Sequence, residues 1–178
     1  MKILALDVAT KMGAAFGRPS SSPVTWTVGF DDLREHDARF SKAIRFMQEM
    51  HKQLAPDLVA VEAAVGGRDA NAYLIGLVAV LRGAACNLGM RTVQYQIGSI
   101  RKHFLGRHFT KADFPHLSET AATKMIKGKV LQRCRALGWQ INDHDQADAA
   151  SLWSYACAIE SRQHVAIDTG PLFDGRPL

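Results

Sequence analysis

The sequence predicts an α/β domain: a mixed sheet of three antiparallel strands extended by parallel ones, with helices packed against it. Two short apolar runs, Ile3-Leu-Ala-Leu6 and Leu58-Val-Ala-Val61, have the continuous hydrophobicity of strands covered on both faces. Each run ends in a carboxylate, Asp7 in one case and Glu62 in the other. Between and after them come segments of helical period, in the order strands, helix, strand, helix, strand, helices.

Taken in order, Met1 to Gly13 delivers Asp7 from a strand into a turn, and the chain turns back at Gly13. Ala14 to Gly17 and Val24 to Phe30 read as two further strands around the turn-rich Arg18 to Pro23, a three-stranded meander. Asp37 to Leu54 has apolar residues at Phe40, Ala43, Ile44, Phe46, Met47, Met50 and Leu54, a helical period broken by Pro56-Asp57. The strand closed by Glu62 follows. Gly66-Gly67-Arg68-Asp69 is a loop, and Asp69 or Asn71 can cap the next helix, which reaches about Asn87. That helix is apolar almost all round, so it is either buried on every side or part of a subunit interface. Arg91 to Tyr95 reads as a strand and Ile97 to Leu105 as a short basic helix.

Gly106 to Leu117 has no period and reads as a mobile loop. Ser118 caps a helix from Glu119 to Leu137 with an apolar stripe of Ala122, Met125, Ile126, Val130 and Leu137. Lys124, Lys127, Lys129 and Arg133 take its other faces. Asn142 to Asp145 opens the last helix, which runs to about Ser161. Residues 1–161 thus form one domain, and 162–178 a loosely attached tail.

The composition, 47% apolar and 22% charged, is that of a soluble globular chain, and the longest apolar segment is too short to span a bilayer. No membrane partner is expected. Three scattered cysteines without a C-x-x-C pair suit reduced thiols and a cytoplasmic location, and argue against a disulfide frame or zinc knuckle. The charge is unevenly placed. Between Arg101 and Arg135 nine Lys/Arg face only Asp113 and Glu119, a net of +7, which leaves −2 for the rest of a chain whose total is +5. A basic segment beside carboxylate-bearing strands suits a polyanion-binding enzyme.

Asp145 and Asp148, three apart, project from one face of the last helix near its start. An Asp there is commonly a cap, yet Asp148 lies among Ala147, Ala149, Ala150, Leu152 and Trp153, where an acid requires a counter-cation. If this helix crosses the strand ends, four hard oxygen donors converge, and they favour Mg²⁺, or Mn²⁺ in its place, over zinc. Such a set suits two cations about 4 Å apart that clamp a phosphodiester. Arg68, Arg101, Lys102, Lys124, Lys127 and Lys129 are the expected phosphate contacts. His144 is read as a capping or solvent residue, and Trp139 and Trp153 as core.

The pieces ALDVATKMG, LVAVE, LRGAA and DQADAASLWSYA, in this order and spacing, resemble the RuvC family of Holliday-junction resolvases within the ribonuclease H-like superfamily. The resemblance covers about residues 2 to 160. It implies a ribonuclease H-like fold with an acid on strand one, a Glu ending strand four and D-x-x-D on the last helix, which here are Asp7, Glu62, Asp145 and Asp148. It further implies metal-dependent cleavage of branched DNA in recombination and repair, leaving 5′-phosphate and 3′-hydroxyl ends, by a homodimer acting on a four-way junction. Val65 replaces the family's aromatic three residues after the Glu, the Gly106 to Leu117 loop lacks the family's Gly-rich link, and the C-terminal tail is extra; divergence of this extent implies a phage-type member with broader branch selectivity. Two other readings share the fold: a nuclease of RNA or RNA–DNA hybrid, and a non-catalytic protein that binds branched DNA. D-x-A-T-x-x-G also approaches the phosphate loop of actin-like ATPases, but 178 residues leave no room for the second domain such a site needs.

Overall fold

A computed structural model describes residues 1–30, 35–64 and 71–161. Arg68, the alternative cap Asp69, Val65 and the 162–178 tail lie outside them. The elements are β1 (Ile3–Asp7), β2 (Lys11–Gly17), β3 (Val24–Gly29), α1 (His36–Leu54), β4 (Leu58–Glu62), α2 (Ala72–Asn87), β5 (Arg91–Tyr95), α3 (Ile97–Leu105), α4 (Glu119–Ala136) and α5 (His144–Glu160). They form one five-stranded sheet in the order β3-β2-β1-β4-β5. β2 is antiparallel to β1 and β3, whereas β1, β4 and β5 are parallel. This is the expected mixed sheet.

Strand alternation divides the interior into two layers. Leu4, Leu6, Val59 and Val61 point to the core shared with Met47, Leu77 and Leu81 of α1 and α2. Ile3, Ala5, Leu58 and Ala60 point the other way, to a core built with α3, α4 and α5. Continuing the alternation by one step directs Asp7 and Glu62 toward the α5 layer. Pairing of Leu6 with Val61 brings these two acids to neighbouring positions just beyond the last matched pair.

Small residues on that face allow α5 to approach the sheet closely. A Cβ on Gly13 would lie 1.9 Å from the carbonyl oxygen of Asp145, and one on Gly17 would lie 3.2 Å from the Trp153 ring. Ala5, Ala15 and Ala60 on the strands face Ala147, Ala149, Ala150 and Ala156 of α5 in the same core. Glycine at position 13 is therefore a packing requirement.

Several local expectations need correction. β2 begins at Lys11, not Ala14, because the turn closes over Val8–Thr10 and Gly13 pairs with Asp7 inside the ladder. Residues 106–117 contain a single 3₁₀ turn, Lys111–Asp113, boxed by Thr110 and Asp113. An Arg107–Asp113 ion pair and stacked Phe109 and Phe114 hold this segment together. On α4 Met125 is 47% exposed and leaves the apolar stripe, whereas Arg133 is 3% exposed and enters it with Cys134. α2 buries Tyr73, Leu77, Val78, Leu81 and Ala85, but Ile75 on its other side is 44% exposed, so the helix is not covered all round within this chain. Asn71 and Ser118 cap α2 and α4 as expected. Trp153 is core, with Trp139 packed on it edge to face. Among the described residues no helix is long and apolar enough to cross a membrane.

Candidate active site

At the carboxyl ends of β1 and β4, α5 brings its first turns over the sheet edge. Asp143 is the N-cap, its Oδ1 accepting from the Gln146 amide at 2.8 Å. Its Oδ2 accepts from Thr27 Oγ1 at 3.1 Å, and Thr25 Oγ1 donates to Gln146 Oε1 at 3.1 Å. These bonds tie the start of α5 to β3 and fix the rotation of the helix. That rotation turns Asp148, 5% exposed, toward Asp7 and Glu62.

The three acids perturb one another. Burial, then the charge of Asp148, then that of Glu62, push the Asp7 carboxyl well above its ordinary range. Burial and Asp148 push Glu62 up to about 7, with Arg101 and Lys127 acting in the opposite sense. Burial raises Asp148 as well, and Lys127 and Arg101 offset part of that rise. Crowded, poorly solvated carboxylates of this kind are deficient in positive charge. Lys127 supplies some of it, its Nζ lying 3.2 Å from Asp148 Oδ2.

Asp145 is held differently. Lys11 Nζ lies 3.4 Å from Asp145 Oδ2 and 3.1 Å from Asp143 Oδ2, so a lysine at the start of β2 draws this acid toward the rim. Asp145 still adds to the raising of both Asp7 and Asp148. Among the described residues no three His, Cys, Asp or Glu side chains stand ready-made as a metal cage. The donor chemistry nonetheless fits a hard divalent cation: oxygen ligands, no thiolate, and excess negative charge. Two of the four acids are at present satisfied by ammonium groups, and a cation there would take over their role.

The expected phosphate contacts fall into separate groups. Arg101 and Lys127 act electrostatically on the acids. Lys124 and Lys127 line an open cleft between α4 and α5. Lys102 lies on another face of α3, lining a second cleft with Ser99, His103 and Tyr155. Lys129 stands over the Phe109 ring at 5.2 Å, engaged with the 106–117 segment. Lys11, Gly13 and Asp143 were not singled out by sequence reasoning as site residues. Only the small-residue pattern of β2 facing an alanine-rich helix could have pointed to Gly13.

No protein-family model matches the chain, and no curated protein matches it either. Solved structures do. The Thermus thermophilus RuvC structure superposes with a TM-score of 0.65 at 17% identity, over 90% of this chain and 97% of that one. T. thermophilus RuvC in complex with Holliday junction substrate gives 0.63 at 16% identity, over 89% and 96%. The yeast mitochondrial Holliday junction resolvase Ydc2 gives 0.51 at 13% identity, over 88% and 78%. What is shared at these identities is the fold, a ribonuclease H-like α/β architecture across nearly the whole chain.

Proposed function

We propose that this chain is a Mg²⁺-dependent endonuclease that hydrolyses phosphodiesters in branched DNA, four-way junctions foremost. The observation that carries this reading is the convergence of Asp7, Glu62 and Asp148 on one sheet edge, with Asp145 at its rim. Burial and mutual repulsion raise all three buried carboxyls above their ordinary range, and they lie beside cationic α3 and α4. The fold supports it, since one matching structure holds a Holliday junction substrate.

In this account Asp7, Glu62, Asp145 and Asp148 hold two Mg²⁺ ions, or Mn²⁺ in their place. When bound, the cations supply an acidified nucleophilic water and charge neutralisation at the leaving 3′-oxygen. The protein contributes the rest. Asp7 and Glu62, fixed on neighbouring strands, set the position of the reacting phosphate relative to the sheet. Arg101 and Lys127 neutralise the phosphate that enters. The Asp143–Thr27 and Gln146–Thr25 bonds keep α5 rigid, so that Asp148 holds its place. Arg68, Lys102, Lys124 and Lys129 are assigned to the duplex arms. Paired incisions of a junction need two active sites, and the uncovered face of α2 around Ile75 is assigned to a homodimer contact.

Cleavage of a labelled synthetic four-way junction, compared with linear duplex, Y-fork and RNA–DNA hybrid, tests the reading. Paired nicks across the junction that EDTA abolishes are expected. Activity confined to hybrid or RNA would overturn the substrate, and a junction bound but never cut would overturn the enzymatic role.

A further inference from the structure

The start of α5 carries an ion pair that capping the helix does not require. Lys11, the first residue of β2, places its Nζ 3.1 Å from Asp143 Oδ2 and 3.4 Å from Asp145 Oδ2. One ammonium group is thus shared between the N-cap of α5 and the rim acid of the cluster. The two carboxylates it bridges have different tasks. Asp143 is tied into the fold, with Oδ1 on the Gln146 amide at 2.8 Å and Oδ2 on Thr27 Oγ1 at 3.1 Å. Asp145 is the one that a cation site would call on.

Release of Asp145 cannot come from the backbone. Its carbonyl oxygen sits where a Cβ on Gly13 would approach to 1.9 Å, so the helix start is pressed against β2. Adjustment falls to the side chains. Lys11 is suited to it, because its side chain is 56% exposed and has a flexible four-carbon stem with three rotatable donors. Exposed ion pairs are held weakly, so leaving one of two carboxylates is a small step. Asp143 keeps the ammonium group in place when the other contact is given up.

We propose that Lys11 is a latch on Asp145: it holds this carboxylate at the rim in the cation-free protein and passes to Asp143 alone when Asp145 becomes a ligand. Lys11 and Asp143 are positioning residues in this hand-off. The inference rests on the nuclease reading and deepens it by making the two cation positions unequal. A position built on Asp7, Glu62 and Asp148 does not involve Lys11, whereas one that uses Asp145 competes with an ammonium group.

The experiment is a titration of Mn²⁺ into the full chain, read by electron paramagnetic resonance, as a double-mutant cycle over positions 11 and 143. Wild type is expected to bind two ions, the second more weakly. Lys11→Met keeps the length of the stem and removes its charge; it should tighten the second ion about threefold and leave the first within twofold. Asp143→Asn keeps a good helix cap but weakens the receiving end of the hand-off, so the second ion should bind about threefold more weakly. In the Lys11→Met background Asp143→Asn should then have little effect, because it acts through the lysine. Lys11→Arg, which retains the charge, should bind the second ion no more tightly than wild type. If wild type binds Mn²⁺ but Lys11→Met changes neither affinity, or the two effects add so that the double variant matches wild type, the latch is refuted and the nuclease reading stands. If wild type binds no Mn²⁺ up to millimolar concentration, both are refuted.

Discussion

Replacing Glu62 by Gln in the cation-free protein probes the electrostatics of the acid cluster through stability instead of activity. Burial and Asp148 raise the Glu62 carboxyl from its ordinary 4.5 to about 7. The folded protein therefore holds this proton more tightly than the unfolded chain does. The associated stability is complete below pH 4.5 and is lost as the pH rises toward 7. The displacement corresponds to roughly 3 kcal/mol at 1.36 kcal/mol per pH unit. Solvent access at the sheet edge and the cost of seating a neutral amide reduce the expected net gain to about 1–2 kcal/mol at pH 8. In a chain of this size that is about 2–8 °C in melting temperature. Thermal melts in EDTA at pH 5 and pH 8, followed by circular dichroism, read it directly. Glu62→Gln should melt close to wild type at pH 5 and above it at pH 8. Mg²⁺ should stabilise wild type at pH 8 by more than it stabilises the variant. Equal melting temperatures at pH 8, or the same pH slope in both proteins, would refute the argument that these acids are short of positive charge.

Three further outcomes follow from the same geometry. Asp7→Asn should abolish cleavage, with a loss of at least about a thousandfold, while junction affinity in an anisotropy titration stays within about threefold, since a ligand to the cation is lost and no phosphate contact. Gly13→Ala places a methyl group on the Asp145 carbonyl, so it should destabilise the fold by about 1–3 kcal/mol or more in urea and depress cleavage by shifting α5. Light scattering at micromolar concentration should give the mass of a dimer. Ile75→Glu on the open face of α2 should give that of a monomer and lose paired incision while keeping single nicks.

The parts of this account that could be read from the chain are those where a local pattern and a burial constraint coincide. An apolar run that ends in an acid is a strand end with a costly charge, and this located Asp7 and Glu62 before any contact was known. The alanines around Asp148 announced close packing in the same way. What stayed hidden depends on long-range partners. Lys11 looks like an ordinary turn lysine until α5 is laid beside β2 and brings Asp143 and Asp145 to it. Arg133 has the period of an exposed face, yet the approach of α4 to α5 buries it beside Cys134. The 106–117 segment has no period because its order comes from side chains meeting across a turn, Arg107 with Asp113 and Phe109 with Phe114, instead of from a repeating backbone pattern. Lys129 meets the same segment, its ammonium group standing over the Phe109 ring.

In the proposed function Asp7, Glu62, Asp145 and Asp148 act as one ligand set for divalent cations. Electron paramagnetic resonance of Mn²⁺ titrated into the protein measures this without relying on turnover. Saturable binding in wild type, competed by Mg²⁺ and lost or weakened at least about tenfold in Asp7→Asn and Asp148→Asn, is the result predicted. Mn²⁺ that remains free up to millimolar protein, or binds equally well to both variants, would contradict it.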